Sequence, residues 1–258
     1  MKILSTATLT ALLMIGSANA ELITTGSFSG GDQGEGLDLQ GNFSYAINIM
    51  GAGGFDIGDA SFTSDTNTYG FSINAEFEYD NWRDKNEYGN STNDNNLETV
   101  MHSIRWSRAT EEFDNDILTM NLENLIVGNE YSLQLLFAEK CCNRGFDVFA
   151  NNKLIADDFA PYFIQGTNPY TSETHNLLPE DIKYDTGAFL RYSFIANTES
   201  LNITMGGESI NNSDNNPLIQ GLTLENNSQL KSISVDEPNS LLLLIPLSLL
   251  ALRRKVKS

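Results

Sequence analysis

Two adjacent cysteines carry the most distinctive chemistry in this chain. Cys141 and Cys142 are the only cysteines among 258 residues. A trans peptide bond places neighbouring Cα atoms about 3.8 Å apart, below the usual range of about 4.4–6.8 Å for a disulfide. A bond between them would therefore close a strained ring and stiffen its loop. Two reduced thiols on alternate sides of a strand end, and pairing between two chains, are the alternatives.

Aromatic residues in polar segments form a second group with possible binding chemistry. Tyr79, Trp82 and Tyr88 stand in a stretch crowded with Asn and Asp, while Tyr162 and Phe163 lie in another long connection. Aromatic rings can pack on the apolar C–H faces of a sugar, and fixed polar groups can bind its hydroxyls. Each ring could instead fill the core, so both roles are open.

Metal-binding and catalytic motifs are sparse. The only histidines are His102 and His175, and they fit neither a metal-ligand spacing nor a catalytic triad. The acidic stretch 80–87 could offer oxygen ligands to calcium, but it fails the EF-hand template. We expect no cofactor, with calcium as the one possibility, and a protein that is not an enzyme. A glycoside hydrolase needs only two suitably spaced carboxylates, and this is the catalytic alternative.

Short segments of alternating apolar and polar residues predict an all-β chain. No segment of the mature chain has a clear helical stripe. Clusters of Asn, Asp and Gly separate the segments, which favours an antiparallel two-sheet β-sandwich of the jelly-roll type. The predicted strands are 43–49, 55–62, 69–79, 99–106, 117–122, 130–137, 146–151, 189–196, 201–205 and 218–224.

The cysteines stand in the connection of a predicted hairpin. Residues 131–137 alternate as a strand, and a second strand begins at Phe146 after a short polar connection. Glu139 and Arg144 flank the turn, so we expect them to form an ion pair across it. Asp147 lies inside the second strand, where its carboxylate is expected to accept backbone hydrogen bonds.

This hairpin resembles the signature of malectin and malectin-like carbohydrate-binding domains. In that family a Phe-Ala-Glu strand end leads through a ligand-contacting loop into a basic-x-Phe-Asp-Val strand. Here Phe-Ala-Glu occupies 137–139 and Arg-Gly-Phe-Asp-Val occupies 144–148. Tyr-Ala-Ile-Asn at 45–48 before a glycine turn, and Asp-Asn-Asn-Pro at 214–217 before the last strand, are similar to the family's opening strand and late turn.

The resemblance implies a sugar site built from loops at one end of the sandwich. In malectin, loop aromatics and an acidic residue of the late turn hold the sugar. Asn215 falls on that acid when Pro217 is the anchor, and Asp214 lies one position earlier. The family's aromatic pair after Phe-Ala-Glu-x is replaced by Cys141 and Cys142.

The implied function is non-catalytic carbohydrate binding. The groove would be formed by the Cys141–Cys142 loop, the loop carrying Tyr79, Trp82 and Tyr88, and the turn at 214–217. A disulfide could present a flat, polarisable sulfur surface to a sugar in place of the missing rings. The main alternative is a structural matrix or adhesion protein without a sugar site.

Both ends of the chain carry targeting patterns. Residues 1–20 combine Lys2, an apolar stretch and the ending Ala-Asn-Ala, which predicts a signal peptide and export. Residues 235–258 combine Glu-Pro, an apolar run and a basic end, and resemble the bacterial PEP-CTERM sorting signal. As a helix the apolar run would span roughly 18 Å, short of the ~30 Å hydrocarbon core. A C-terminal membrane anchor is the alternative.

These boundaries leave one domain at 43–226, with a Gly-rich entry segment at 21–42 and a linker at 227–234. The formal net charge of −19 argues against a nucleic-acid partner, which needs clustered basic residues. The expected partners are a carbohydrate or polysaccharide, sorting and processing machinery, and a membrane contacted transiently through the tail. The expected location is the cell surface or extracellular matrix of a Gram-negative-type bacterium.

Overall fold

The computed structural model describes residues 21–83, 87–108, 118–166, 183–207 and 215–228. The predicted signal peptide, the tail at 235–258, most of the linker, His175, Asp214 and the middle of the acidic stretch lie outside the described residues. Within these ranges, no helix has the length and apolar character needed to cross a bilayer.

The described chain folds as a predominantly antiparallel β-sandwich, which confirms the predicted class. The elements are β1 (Leu22–Phe28), β2 (Phe43–Asn48), β3 (Phe55–Ile57), β4 (Ala60–Ser64), β5 (Phe71–Asn74), β6 (Phe77–Tyr79), α1 (Thr92–Met101), β7 (Ile104–Trp106), β8 (Leu118–Leu122), β9 (Glu130–Phe137), β10 (Phe146–Ala150), β11 (Lys153–Phe159), α2 (Pro161–Ile164), β12 (Gly187–Ile195), β13 (Leu201–Gly206), β14 (Leu218–Ile219) and β15 (Gly221–Asn226). A seven-stranded sheet in the order β1-β12-β9-β15-β2-β4-β3 faces a five-stranded sheet in the order β11-β10-β13-β8-β5, and a three-stranded ribbon has the order β14-β7-β6.

Strand β9 is buried on both faces and connects two apolar clusters. Leu133, Leu135 and Phe137 point into the main core between the two large sheets. Leu136 points the other way, into a second cluster beneath helix α1. Because side chains alternate along a strand, one segment serves both clusters, and its end is held firmly in place.

Helix α1 lies where the sequence predicted a long loop followed by the start of a strand. Ser91 and Asp94 form a capping box, with Asp94 N donating to Ser91 Oγ at 3.0 Å and Ser91 N donating to Asp94 Oδ2 at 3.1 Å. Leu97, Val100 and Met101 are buried on one face against the second cluster. The prediction of a strand over 99–106 is therefore wrong in its first half.

Three other predicted strands are each divided in two. Segment 55–62 is the β3–β4 hairpin, turned at Gly58 with φ +59°, where a Cβ would lie 2.3 Å from the Leu39 carbonyl oxygen. Segment 69–79 contributes β5 to one large sheet and β6 to the ribbon, and 218–224 likewise divides into β14 and β15. Two strands lie where none was predicted. The entry segment 21–42, which was predicted to be a loop, contains strand β1, and this strand pairs with β12 along its whole length. Strand β11 was also not predicted.

Asp94 is expected to make stability depend on acid pH. Burial raises the pKa of its carboxyl, but hydrogen bonds from Gly31 and Ser91 outweigh burial, so the pKa lies below its ordinary value of 3.8. A carboxyl with a lowered folded-state pKa stabilises the fold above the unfolded pKa, and this contribution disappears as pH falls through the folded pKa. Asp94→Asn is expected to lower the free energy of unfolding by about 1 kcal/mol at pH 7 and by much less at pH 3.

Urea unfolding at the two pH values measures this difference. The control Glu199→Gln, at an exposed carboxylate, is expected to change stability by less than about 0.5 kcal/mol at both. An equal loss at pH 7 and pH 3 for Asp94→Asn would show that the charge of Asp94 does not contribute.

Candidate functional site

The loop that follows β9 is held by two buried amide side chains. Gln220 accepts from Ala138 N at 2.8 Å and donates to Ala138 O at 2.7 Å. Gln165 accepts from Glu139 N at 2.9 Å and donates to Glu139 O at 3.2 Å. These amides satisfy backbone groups that a neighbouring strand would satisfy inside a sheet. The first residues of the hairpin loop therefore have a fixed course.

The segment after β6 packs against the same two residues. Trp82 Nε1 donates to Ala138 O at 2.7 Å, and Arg83 Nη1 donates to Glu139 O at 3.1 Å. Arg83 is fully buried, pairs with Glu87 at 2.7 Å and also donates to the Tyr184 carbonyl oxygen. The segment that follows Tyr79 (residues 80–83) and the loop that carries the cysteines (residues 138–145, the cysteine loop) are thus joined through buried hydrogen bonds.

The predicted ion pair across the hairpin is present. Arg144 Nη1 lies 3.2 Å from Glu139 Oε2, and both side chains are buried. The guanidinium also lies over the Trp82 ring, 5.1 Å from its centroid. The Glu139–Arg144 ion pair therefore stabilises the loop through buried contacts.

Phe146 and Asp147, the other two residues of the hairpin motif, have structural roles. Phe146 is buried, and its ring packs near Phe137 and Phe159. Asp147 accepts from the Asp158 amide at 3.0 Å, as expected for an acceptor of backbone hydrogen bonds. Burial and the nearby charges of Asp157 and Asp158 raise the pKa of the Asp147 carboxyl, although the Asp158 amide opposes the change.

Cys141 and Cys142 form a disulfide, with their Cα atoms 3.7 Å apart. The sequence left three states open: a disulfide between the neighbouring cysteines, two reduced thiols, and pairing between two chains. The structure has the first of these. Both residues are half-buried, and Cys141 packs against the main core.

The predicted aromatic set divides into one exposed ring and two buried ones. Tyr79 is 52% exposed and meets the Trp82 ring edge-on at 6.0 Å. Trp82 is only 8% exposed and belongs to the main core. Tyr88 stacks on Phe28 in the second cluster, and burial raises the pKa of its hydroxyl well above the ordinary value. The ring faces of Trp82 and Tyr88 are therefore used for packing.

The late turn lies at the same end of the sandwich as the cysteine loop. Pro217 O accepts from Ser107 N at 3.1 Å, and Leu218 pairs with Trp106. Three residues after Pro217, Gln220 bonds to Ala138. Asn215 is half-buried in this turn, whereas Asp214 lies outside the described residues.

Trp106 is an aromatic side chain at this end for which the sequence predicted no binding role. Its half-buried ring stacks on Phe77 at 4.5 Å, on the ribbon that carries Tyr79. It stood inside a predicted strand, where an aromatic residue is expected in any sheet. We use "loop end" for the end of the sandwich formed by residues 79–83, 138–145 and 215–217.

The fold is similar to extracellular domains of receptors from Arabidopsis thaliana. The ANX2 ectodomain aligns with a TM-score of 0.50 at 17% identity, over 70% of this chain and 49% of that one. The ANXUR2 extracellular domain aligns with a TM-score of 0.51 at 16% identity, over 70% and 48% of the two chains. This chain therefore spans about half the length of those ectodomains.

These similarities confirm the malectin-like fold that the hairpin motif predicted. At such identities they concern the fold alone. No family model matches the sequence, and no curated protein matches it.

Proposed function

We propose that this protein is an exported, non-catalytic carbohydrate-binding domain whose ligand lies on the loop end. The observation that carries the proposal is the pair of hydrogen bonds on Ala138, from Trp82 Nε1 and from Gln220 Nε2. Through them, the segments carrying Tyr79, the disulfide and the 215–217 turn meet at one end of the sandwich. A site assembled from three distant segments requires this convergence.

The side chains at the loop end match the chemistry of a sugar. The exposed Tyr79 ring and the disulfide offer polarisable apolar surface to a C–H face. Lys140 in the cysteine loop and Asn216 in the late turn are half-buried, and their side chains carry donors and acceptors suited to hydroxyls. The braced loop loses little conformational entropy on binding, which lowers the cost of association. We expect weak binding, since desolvated hydroxyls and immobilised side chains offset much of the gain from stacking.

The proposed setting follows from the sequence patterns at the two ends. A signal peptide at 1–20 would direct export, and the PEP-CTERM-like segment at 235–258 would be handled by sorting and processing machinery after a transient membrane contact. The product would lie at a bacterial cell surface or in an exopolysaccharide matrix. Its net charge of −19 favours neutral polysaccharides over anionic ones.

A glycan-array screen followed by calorimetry of the best oligosaccharide tests the proposal. Tyr79→Ala is expected to weaken binding about tenfold, since it removes the exposed ring, while within the core it removes only the edge-on contact with Trp82. Ile126→Ala, at a side chain of similar exposure (58%) outside the loop end, is the matched control and should bind as the wild type does.

The double variant Cys141→Ser, Cys142→Ser tests the sulfur surface separately and is also expected to weaken binding. If the wild-type protein binds no sugar, a structural matrix role replaces the proposed one. If sugar binds equally well to Tyr79→Ala, the ligand does not lie on the loop end.

A further inference from the structure

The opposite end of the seven-stranded sheet contains an open cleft. Strands β2 and β4 run parallel and pair only at Ile47–Thr63 and Asn48–Ser64. Towards Phe43 and Asp59 they diverge, leaving a cleft of about 560 Å³ between them. Pockets of roughly 300–1,000 Å³ are typical of small-ligand sites. Phe43 lies opposite Glu225 of β15, and Glu225 lies opposite Ser132, near the start of β9. The loop end instead follows Phe137, the last residue of β9.

The lining of this cleft combines aromatic surface with neutral polar groups. Its aromatic residues are Tyr69 and Phe43, and Ser44 and Asn124 add a hydroxyl and an amide. Ser61 and Thr63 add hydroxyls that already donate, to Asp56 and to the Ala46 carbonyl oxygen, and can still accept from a ligand. Apart from two tyrosines, Asp59 is the one ionisable side chain among the described lining residues, and its carboxylate accepts from Gly41 N at 3.0 Å. An anionic ligand would meet a negative charge there and no compensating cation. The lining therefore suits an uncharged, hydroxyl-rich ligand.

Tyr69 lies in a hydrogen-bonded turn that exposes its side chain to solvent. Its side chain is 87% exposed, more than any other large apolar side chain in the described part of the chain. The turn is fixed because Thr68 Oγ1 donates to Ser64 O at 2.7 Å and Phe71 N donates to Thr68 O at 3.3 Å. At Gly70, with φ +78°, a Cβ would lie 2.5 Å from the Tyr45 hydroxyl. A ring presented by an ordered turn contributes little to folding but is pre-organised for binding.

We propose that this cleft is a second binding site, specific for a neutral glycan and separate from the loop end. An extended peptide fits the cleft less well, because strand addition needs free backbone groups on β2. The Ala46 carbonyl oxygen there already accepts from Thr63 Oγ1 at 3.3 Å. The glycan would stack on the Tyr69 ring and bond to the hydroxyl and amide groups between the diverging strands.

Retardation in native gels containing neutral polysaccharides tests this site. The probes are β-1,3-glucan, xylan, galactomannan and dextran, and the proteins are the wild type, Tyr69→Ala, Tyr79→Ala and the double variant. Tyr69→Ala is expected to weaken association about three- to tenfold, and to do so also in the Tyr79→Ala background. Tyr69→Phe keeps the ring and should retain most of the binding, which separates loss of stacking from loss of fold.

The outcomes distinguish this site from the loop end. If Tyr69→Ala has no effect in either background while Tyr79→Ala weakens retardation, the second site is overturned and the proposed function stands. If only Tyr69→Ala weakens retardation, the cleft is a site and the loop end is not. If the cleft instead binds reduced, carboxymethylated lactalbumin in a Tyr69-dependent way and none of the polysaccharides, its occupant is a peptide and the glycan assignment is overturned.

Discussion

Arg83→Met is expected to lower the free energy of unfolding by about 3–5 kcal/mol, the typical cost of breaking a buried ion pair. The Arg83 side chain is fully buried, and its guanidinium pairs with Glu87 at 2.7 Å. It also donates to the backbone of Glu139 at 3.1 Å and to the backbone of Tyr184. Methionine has a similar length but removes the charge and every donor, so the carboxylate and the carbonyl oxygens lose their shared cation.

Urea unfolding at pH 7, followed by circular dichroism, measures the effect of Arg83→Met. The matched control is Arg108→Met, because Arg108 is exposed with its guanidinium over the Phe77 ring. The control should change stability by less than about 1 kcal/mol. A comparable small change for Arg83→Met would mean that the Arg83 contacts do not join the two loops energetically.

Trp82→Ala is expected to destabilise the fold by about 3–5 kcal/mol, as large-to-small changes at buried aromatic positions do. The indole fills part of the main core, contacts Tyr79 edge-on and lies under the Arg144 guanidinium. Trp82→Phe keeps much of the ring but removes the Nε1 hydrogen bond to Ala138 O, so we expect a loss of about 1–2 kcal/mol. The Ala138 oxygen retains its bond from Gln220 in that variant.

The two Trp82 variants also separate folding from binding. Chemical unfolding gives the stability of each, and calorimetry with the sugar found by the array gives the affinity of Trp82→Phe. Because the indole is buried, Trp82→Phe should bind sugar nearly as well as the wild type. A large loss of affinity with unchanged stability would show that the indole touches the sugar, against its buried position.

The sequence predicts most of the sandwich because strand alternation is a local signal. The bounds of β9 (Glu130–Phe137) agree with the predicted strand, and β8, β10, β12 and β13 differ from prediction by one or two residues at an end. Helix α1 was missed because its ten residues are rich in Asn, and its apolar face consists of only three large residues. The capping box at Ser91 and Asp94 was the available signal for its start.

The candidate site was predictable only where its residues are close in sequence. The Glu139–Arg144 pair follows from the hairpin, since the two residues flank one turn. Arg83, Gln165 and Gln220 reach the loop from 26 to 82 residues away, and no local pattern marks an isolated polar residue as buried. For the same reason, the sequence does not predict which of the three aromatic side chains is exposed: Tyr79 faces solvent, whereas Trp82 and Tyr88 are buried. Tertiary packing decides the orientation of loop aromatics.

Mapping of a bound sugar by NMR decides whether the loop end binds carbohydrate. The ¹⁵N-labelled protein would be titrated with the best oligosaccharide from the array, and backbone amide shifts would be followed. We predict saturable shifts at Tyr79, Lys140, Cys141, Cys142 and Asn216. In Tyr79→Ala the shifts of the other four residues should saturate only at about tenfold higher sugar concentration. Saturable binding that leaves all five of these amides unchanged would mean that the sugar binds elsewhere on the protein.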